Sequence, residues 1–278
     1  MIKHIILWNF QEGKGSEEDK LKMKISNSMI IFSDEDIKSQ IDEIKNIREK
    51  YDSDLFKITT IKLLADGVVE GSTAYLLEPY ELGAGRGNND FRNTIAHLQL
   101  VNNNDIKRFR ELNIIAAVQS YWHIKGPKWW DEVDYKLLGD RSKYEYPLNY
   151  FIKEGVTITS SSYHSVTPEP NPFYAIEAGV TRKLYNSKYF GVEDINNIYD
   201  ERYLLNKDER ISAMVKSFTI NGAHAIFREN EIGSIEVGKY ADFIVIDRDI
   251  FNIYPIDIEK TNVLMIFFDG RIVYESKN

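Results

Sequence analysis

Two hydrophobic periods alternate along this chain, and that alternation limits the fold more than any other feature. From Ser33 the run Ser-Asp-Glu-Asp opens a predicted helix, with Ser33 as N-cap and acidic residues in the first turn, where the helix dipole favours them. Ile37, Ile41, Ile44 and Ile47 follow at helical spacing and share one face. Residues 55–64, rich in Ile and Thr, then read as a strand ended by Asp66-Gly67. The pair recurs: residues 104–112 place Ile106, Phe109 and Leu112 on one helix face, and residues 114–119 read as a strand. Residues 156–160 form a continuous run suited to a strand buried on both sides. Helices alternating with near-continuous apolar strands predict an α/β fold with a parallel sheet, open or closed into a barrel. Periodicity does not choose between those two. Residues 81–89, crowded with Gly83, Ala84, Gly85 and Gly87, read as a loop where an element is expected.

The character changes near the C-terminus. A helix is expected over residues 210–227, and short strands with turn glycines follow it: Gly233, Gly238, then residues 241–247. Residues 263–268 and 271–274 flank Asp269-Gly270, a strong two-residue hairpin signal. A lone hairpin with one added strand is unstable in water, so this β unit must pack on the α/β part or pair with strands from elsewhere.

Composition narrows the chemistry. The 278 residues are long enough for one large domain or two modest ones, and 43% hydrophobic with 28% charged residues is an ordinary globular balance. A net charge of −8 with no Lys or Arg block gives no footprint for nucleic acid. No stretch reaches the roughly 20 apolar residues of a membrane span, and no secretory leader is read at the N-terminus. A cytoplasmic location is expected. With no cysteine, disulfides, thiolate catalysis and Cys-ligated zinc are excluded, leaving His, Asp, Glu or a modified Lys for any metal.

Functional groups gather at the C-terminal ends of strands in such folds, and four places qualify. Lys62 interrupts an apolar strand; it is either a Schiff-base or carbamylated lysine, or a partner of Asp66 on the same face, and spacing favours the second. His97 ends a short strand, where a lone histidine is more often a hydrogen-bonded core residue than a ligand. His123 follows Trp122 near Trp129 and Trp130 and reads as packed among aromatics. Ser160 to Ser165, with Tyr163 and His164, offers hydroxyls and an imidazole just past a buried strand, but a triad there lacks a placed acid. His224 reads as structural.

Longer strings go further. Lys-Leu-Leu-Ala-Asp-Gly-Val-Val-Glu-Gly at 62–71, His-Leu-Gln-Leu-Val at 97–101, Val-Thr-Pro-Glu-Pro-Asn-Pro at 166–172 and Ile-Gly-Ser-Ile-Glu-Val-Gly-Lys-Tyr-Ala-Asp-Phe-Ile-Val-Ile-Asp at 232–247 resemble amidohydrolase family 3, the YtcJ-like branch that includes N-substituted formamide deformylases. The likeness begins inside the family's barrel. It implies an α/β fold, a partial (β/α)8 TIM-type barrel over residues 1–229, and a small C-terminal β-sandwich remnant over 230–278. It also implies a metal-dependent hydrolase of carbon-nitrogen bonds other than peptide bonds, with a divalent metal, zinc by expectation, and a small amide or formamide-like substrate. In that chemistry the metal lowers the pKa of a bound water, an aspartate takes the proton, and the metal polarises the carbonyl.

Carried over by residue, Lys62 falls on the family's strand-four lysine and His97 on its strand-six histidine, the two candidate metal ligands. Trp122, His123 and His164 are candidates for substrate binding. Where the family reads Glu-His this chain has Ala96-His97, and Tyr163 occupies the family aspartate position. A phenol with a pKa near 10 cannot replace a carboxylate as base at neutral pH. No counterpart of the family's His-x-His strand or of its strand-five His-Ala-Ile-Gly-Asp motif is found. The expectation is a metal-dependent amidohydrolase-like protein impaired or inactive as this single chain. The alternative is a catalytically silent remnant or a subunit needing a partner chain to supply the missing strands; a homo-oligomer or such a complementing chain is the expected protein partner.

Overall fold

A computed structural model describes residues 4–6, 25–31, 36–53, 56–63, 92–124, 132–164, 166–167, 169–182 and 206–276. The chain divides into two compact units, Met1–Gly83 and Ala84–Asn278.

In the first unit, β1 (His4–Ile6) pairs antiparallel with β2 (Ile25–Ile31), which pairs parallel with β3 (Phe56–Leu63). Helix α1 (Ile37–Tyr51) connects the parallel pair, and its isoleucine face packs as the spacing predicts: Ile44 is buried with Met29 and Ile58, and Ile41 and Ile47 lie against them. The helix starts later than expected. Asp36 is the N-cap, its carboxylate accepting from the Ser39 N–H at 3.0 Å, so the cap is not Ser33. Both residues are good caps; the helix begins where the apolar stripe begins, and Asp36 immediately precedes it.

The second unit carries three adjacent parallel strands, β4 (Thr94–Ala96), β5 (Ile115–Val118) and β6 (Ile158–Ser160), in that order. Helix α2 (Asn103–Glu111) crosses between β4 and β5, capped by Asn102 and burying Ile106 and Phe109. The short helices α3 (Tyr135–Leu138) and α4 (Leu148–Lys153) precede β6. Phe151 of α4 meets Phe109 edge to face at 5.1 Å. Helix α5 (Pro172–Thr181) is not foreshadowed by the sequence pattern. Asn171 caps it and Pro172 occupies its first turn, yet eight of its residues are buried around the whole circumference, which erases the one-sided stripe that marks a helix.

The single helix expected over 210–227 is two, α6 (Lys207–Phe218) and α7 (Ile220–Ala225). Thr219 breaks them at φ −124°, ψ −104°, with its hydroxyl bonded back to the Val215 carbonyl at 2.8 Å, a local bond that competes with the helical ladder. The antiparallel sheet β7 (Phe243–Ile246), β8 (Val263–Phe268), β9 (Arg271–Glu275) follows. Its hairpin turns at Asp269-Gly270, both with positive φ (50° and 74°), as a type I′ turn requires. The 3-10 turn Pro255–Lys260 between β7 and β8 ties this region to the α/β core, because Ile250 and Ile258 join the cluster of Ile106, Phe109, Val118, Phe151, Ile211 and Met214. The second unit is therefore an α/β assembly on a parallel sheet. No described helix is long and apolar enough to cross a membrane.

Candidate functional site

Register brings the C-terminal ends of β4, β5 and β6 side by side: Ala96 lies opposite Ala117, and Val118 opposite Ser160. The next residue on each strand is polar: His97, Gln119 and Ser161. Side chains alternate along a strand, so a core strand that ends in a polar residue delivers it to the rim of the sheet. Gln119, buried at 3% exposure, spans all three ends. Its Oε1 lies 2.8 Å from His97 Nδ1, and its Nε2 donates to Ser161 Oγ at 2.9 Å.

Over this bridge sit three rings. His97 stacks on Trp122 at 5.5 Å with an interplanar angle of 18°, and Tyr163 meets both rings edge-on, at 5.0 and 5.6 Å. Trp122 is held by its 3-10 turn (Ser120–Trp122) and by a bond from its Nε1 to Thr167 Oγ1 at 3.1 Å. The backbone here is unusual. The His97 N–H still bonds the Ala117 carbonyl as a ladder bond, and then the Leu98 N–H turns back to the Ala96 carbonyl at 3.0 Å. That closes a three-residue turn around His97 at φ 71°, the strained positive-φ kind, with Leu98 also left-handed at 60°. Tyr163 is left-handed too, at 53°. Strain of this kind concentrates at binding and catalytic sites.

Of the six residues singled out from sequence, the structure brings His97, Trp122 and Tyr163 into mutual contact. His164 lies next to them on the exposed side, its Nδ1–H donating to the Thr167 carbonyl at 3.3 Å. His123 goes elsewhere: it is buried at 1% exposure and stacks on Tyr146 at 4.6 Å. Neither of its ring nitrogens has a hydrogen-bond partner among the described residues. Burial first, and the nearby Arg182 cation second, push its pKa well below the usual imidazole value, so it is neutral at pH 7. Arg182 in turn donates to the carbonyls of Glu145 and Tyr146 at 3.1 and 2.7 Å. Lys62 lies on β3 of the first unit, and its side chain is outside the described residues, as are Asp66, Trp129, Trp130 and the 81–89 stretch. His224 faces the Glu229 carboxylate at 3.4 Å.

Among the described residues the donor set does not fit a divalent metal. Among the described residues no group of three His, Asp or Glu side chains gathers. His97 commits one nitrogen to Gln119 and is flanked by an indole and a phenol, where a metal centre needs carboxylates and further imidazoles. Sequence reasoning missed Gln119 and Thr167. For Gln119 the signal was present, as the first polar residue after a buried strand; Thr167 is recruited by a turn that no local pattern announces.

The family model described as the amidohydrolase family matches residues 82–274, more than half of the chain, and the chain belongs to that family. Among curated proteins it is 28% identical over 122 residues to an imidazolonepropionase of Bdellovibrio bacteriovorus, covering 43% of this chain and 29% of that one. It is 27% identical over 181 residues to the putative amidohydrolase YtcJ of Bacillus subtilis, covering 65% of this chain and 32% of that one. It is 40% identical over 73 residues, 26% of this chain and 14% of the relative, to an N-substituted formamide deformylase of Arthrobacter pascens. The chain thus spans about a third of these curated relatives or less. Among solved structures, an uncharacterized metal-dependent hydrolase from Pyrococcus horikoshii superposes with a TM-score of 0.55 at 21% identity, covering 78% of this chain and 50% of that one, which shows a shared fold.

Proposed function

We propose that this protein is a carbon-nitrogen hydrolase by family whose strand-end site, in this chain by itself, is catalytically silent. Membership supports an ancestral reaction of water with a non-peptide carbon-nitrogen bond in a small amide or formamide-like substrate, carried out with a divalent metal; two of the relatives are named as an imidazolonepropionase and a formamide deformylase. In this reading the parallel strands belong to an incomplete (β/α)8 barrel spanning 1–229, and residues 230–278 to part of a composite β-sandwich. Lys62 and His97 are what remains of the ligand set, and Trp122 and His164 of the substrate surface; His123, buried against Tyr146, is not part of that surface.

The observation that carries the proposal is Tyr163. It stands where the resemblance assigns the proton-accepting aspartate, and its ring packs edge-on against His97 and Trp122. A phenol there does not supply the carboxylate that takes the proton from water and balances a bound cation in the family reaction. Losing a catalytic base alone costs orders of magnitude in rate.

Metal content decides the matter. Untagged protein purified without chelator, measured by plasma mass spectrometry beside a His97→Ala control, is expected to hold far less than one metal per chain, with no difference between the two. One zinc, manganese or iron per chain that disappears in His97→Ala overturns the reading. Hydrolysis of a formamide that appears only when a second polypeptide is added would instead identify a subunit that needs a complementing chain.

A further inference from the structure

We infer that Gln119 is a positioning residue that fixes His97 as the Nδ1–H tautomer, with the ring's lone pair on Nε2. The inference does not depend on whether the chain hydrolyses anything or binds a metal, because it concerns only which ring nitrogen carries the proton.

A neutral imidazole has one N–H and one lone pair, and the partner of one nitrogen determines the role of the other. The partner of Nδ1 is the Gln119 Oε1 at 2.8 Å, an oxygen that can only accept. Its Nε2 donates to Ser161 Oγ at 2.9 Å on the neighbouring strand end, so both ends of the amide are bonded. The carboxamide is buried, so water cannot substitute for either partner. Hence His97 Nδ1 is the donor, and the lone pair sits on Nε2.

Three further restraints keep the ring from turning over. Its backbone is locked in the tight turn closed by Leu98 N–H and Ala96 C=O; one ring face lies against Trp122; and the edge-on contact from Tyr163 comes at 5.0 Å. The Gln119 bond is therefore made by a ring already held, and little side-chain entropy is lost in forming it. The arrangement parallels a general property of functional histidines, in which a group behind the ring sets the tautomer and the nitrogen in front does the binding. It also gives a reason for a buried glutamine to span three strand ends, since a nonpolar side chain of the same size would fill the space without choosing a nitrogen.

The test is a two-bond nitrogen-proton correlation spectrum of protein carrying 15N-labelled histidine, recorded at about pH 8.5, well above the ordinary imidazole value of ~6.5. The His97 signals are identified by their loss in His97→Ala. In the wild type, Nδ1 is expected to be the protonated, pyrrole-type nitrogen. In Gln119→Leu the acceptor is gone, and the ratio of Nδ1–H to Nε2–H is expected to fall by about tenfold, the equivalent of one lost hydrogen bond. Gln119→Glu keeps an acceptor oxygen at the same reach and is expected to retain the Nδ1–H form. A glutamine that merely filled space would be replaced as well by Leu as by Glu, so rescue by Glu alone separates positioning from packing. An Nε2–H wild type, or an unchanged tautomer in Gln119→Leu, overturns the inference. Should Gln119→Leu fail to fold, the wild type and Gln119→Glu decide: Nδ1–H in both supports the inference and Nε2–H in either overturns it.

Discussion

Between Thr94 and Ala96, Ile115 and Val118, and Ile158 and Ser160, the backbone is regular, and Ile115, Ala116, Val118 and Ile158 are almost wholly excluded from water. Within three residues of where those strands stop, His97, Leu98 and Tyr163 take left-handed conformations, and an imidazole, a carboxamide and a hydroxyl form a chain of bonds. One sheet thus follows the rules of stability in its body and sets them aside at its C-terminal rim. The contrast shows one sheet meeting two demands: close packing in its body, and at its rim the placement of polar and aromatic groups on a left-handed backbone that the body does not use. Four measurements test how sharp that division is.

The body should dominate stability. Phe151, 1% exposed and edge-on to Phe109, is expected to cost about 3–5 kcal/mol when truncated in Phe151→Ala, through lost burial and an unfilled cavity. The half-buried Tyr163, cut to Ala at the rim, should cost clearly less. Equal losses in urea titrations would erase the distinction between body and rim.

The body buries an ionisable group at Glu177 on α5. The side chain is 1% exposed and accepts from the Glu259 N–H at 2.8 Å. Burial pushes its pKa up to about 8; the Glu259 and Asp257 carboxylates reinforce the rise, while the backbone bond and Lys260 oppose it. Because the folded pKa is raised, the folded state holds the proton more tightly than the unfolded chain. Stability from this group is fully present below the unfolded value near 4.5 and is lost as pH rises through about 8. The fall should be a few kcal/mol, since each tenfold difference in proton affinity between the folded and unfolded chain is worth roughly 1.4 kcal/mol. In Glu177→Gln the pH dependence of unfolding between those limits should flatten. A wild type and variant with parallel pH curves would show that Glu177 is ionised in the fold.

A third test lies in the glycine of the 232–247 string. A Cβ on Gly233 would sit 2.9 Å from Ile220 Cα and 2.8 Å from Ala223 Cβ, on a backbone at φ 93°. Backbone cannot step aside as a side-chain tip can, so Gly233→Ala is expected to destabilise by about 1–3 kcal/mol. A neutral substitution would mean that the 233 turn does not pack tightly on α7.

These cases also show what the sequence made legible. The α1 isoleucines, the β5 and β6 runs and the Asp269-Gly270 turn were readable because each is a local pattern, settled by periodicity or turn chemistry within a dozen residues. Helix α5 was not, because burial on every side leaves no stripe to read. The break at Thr219 was hidden as well, since a threonine hydroxyl bonding back to Val215 looks no different in sequence from one facing solvent. At the site, the resemblance pointed to His97 and Tyr163 individually, but their contact with each other and with Trp122 is a product of strand register across residues 97 to 163. Gln119 was passed over because a glutamine carries no motif; only its position at the centre strand's end gives it two partners.

The smallest expected effect addresses the contrast most directly, because it predicts a change of sign. At an ordinary strand position glycine is worse than alanine by roughly 0.5–1 kcal/mol, since it loses more backbone freedom on folding. At a left-handed position the order reverses, because a Cβ there costs about 1–2 kcal/mol. Thr159 lies within β6 and Tyr163 a few residues past its end at φ 53°. Thr159→Gly should therefore be less stable than Thr159→Ala, and Tyr163→Gly more stable than Tyr163→Ala by about 1 kcal/mol. Comparing the two members of each pair cancels the lost side-chain contacts and leaves the backbone term alone. If alanine wins at both positions, the left-handed turn at Tyr163 is not a feature of the folded protein, and the rim is as regular as the strands that lead to it.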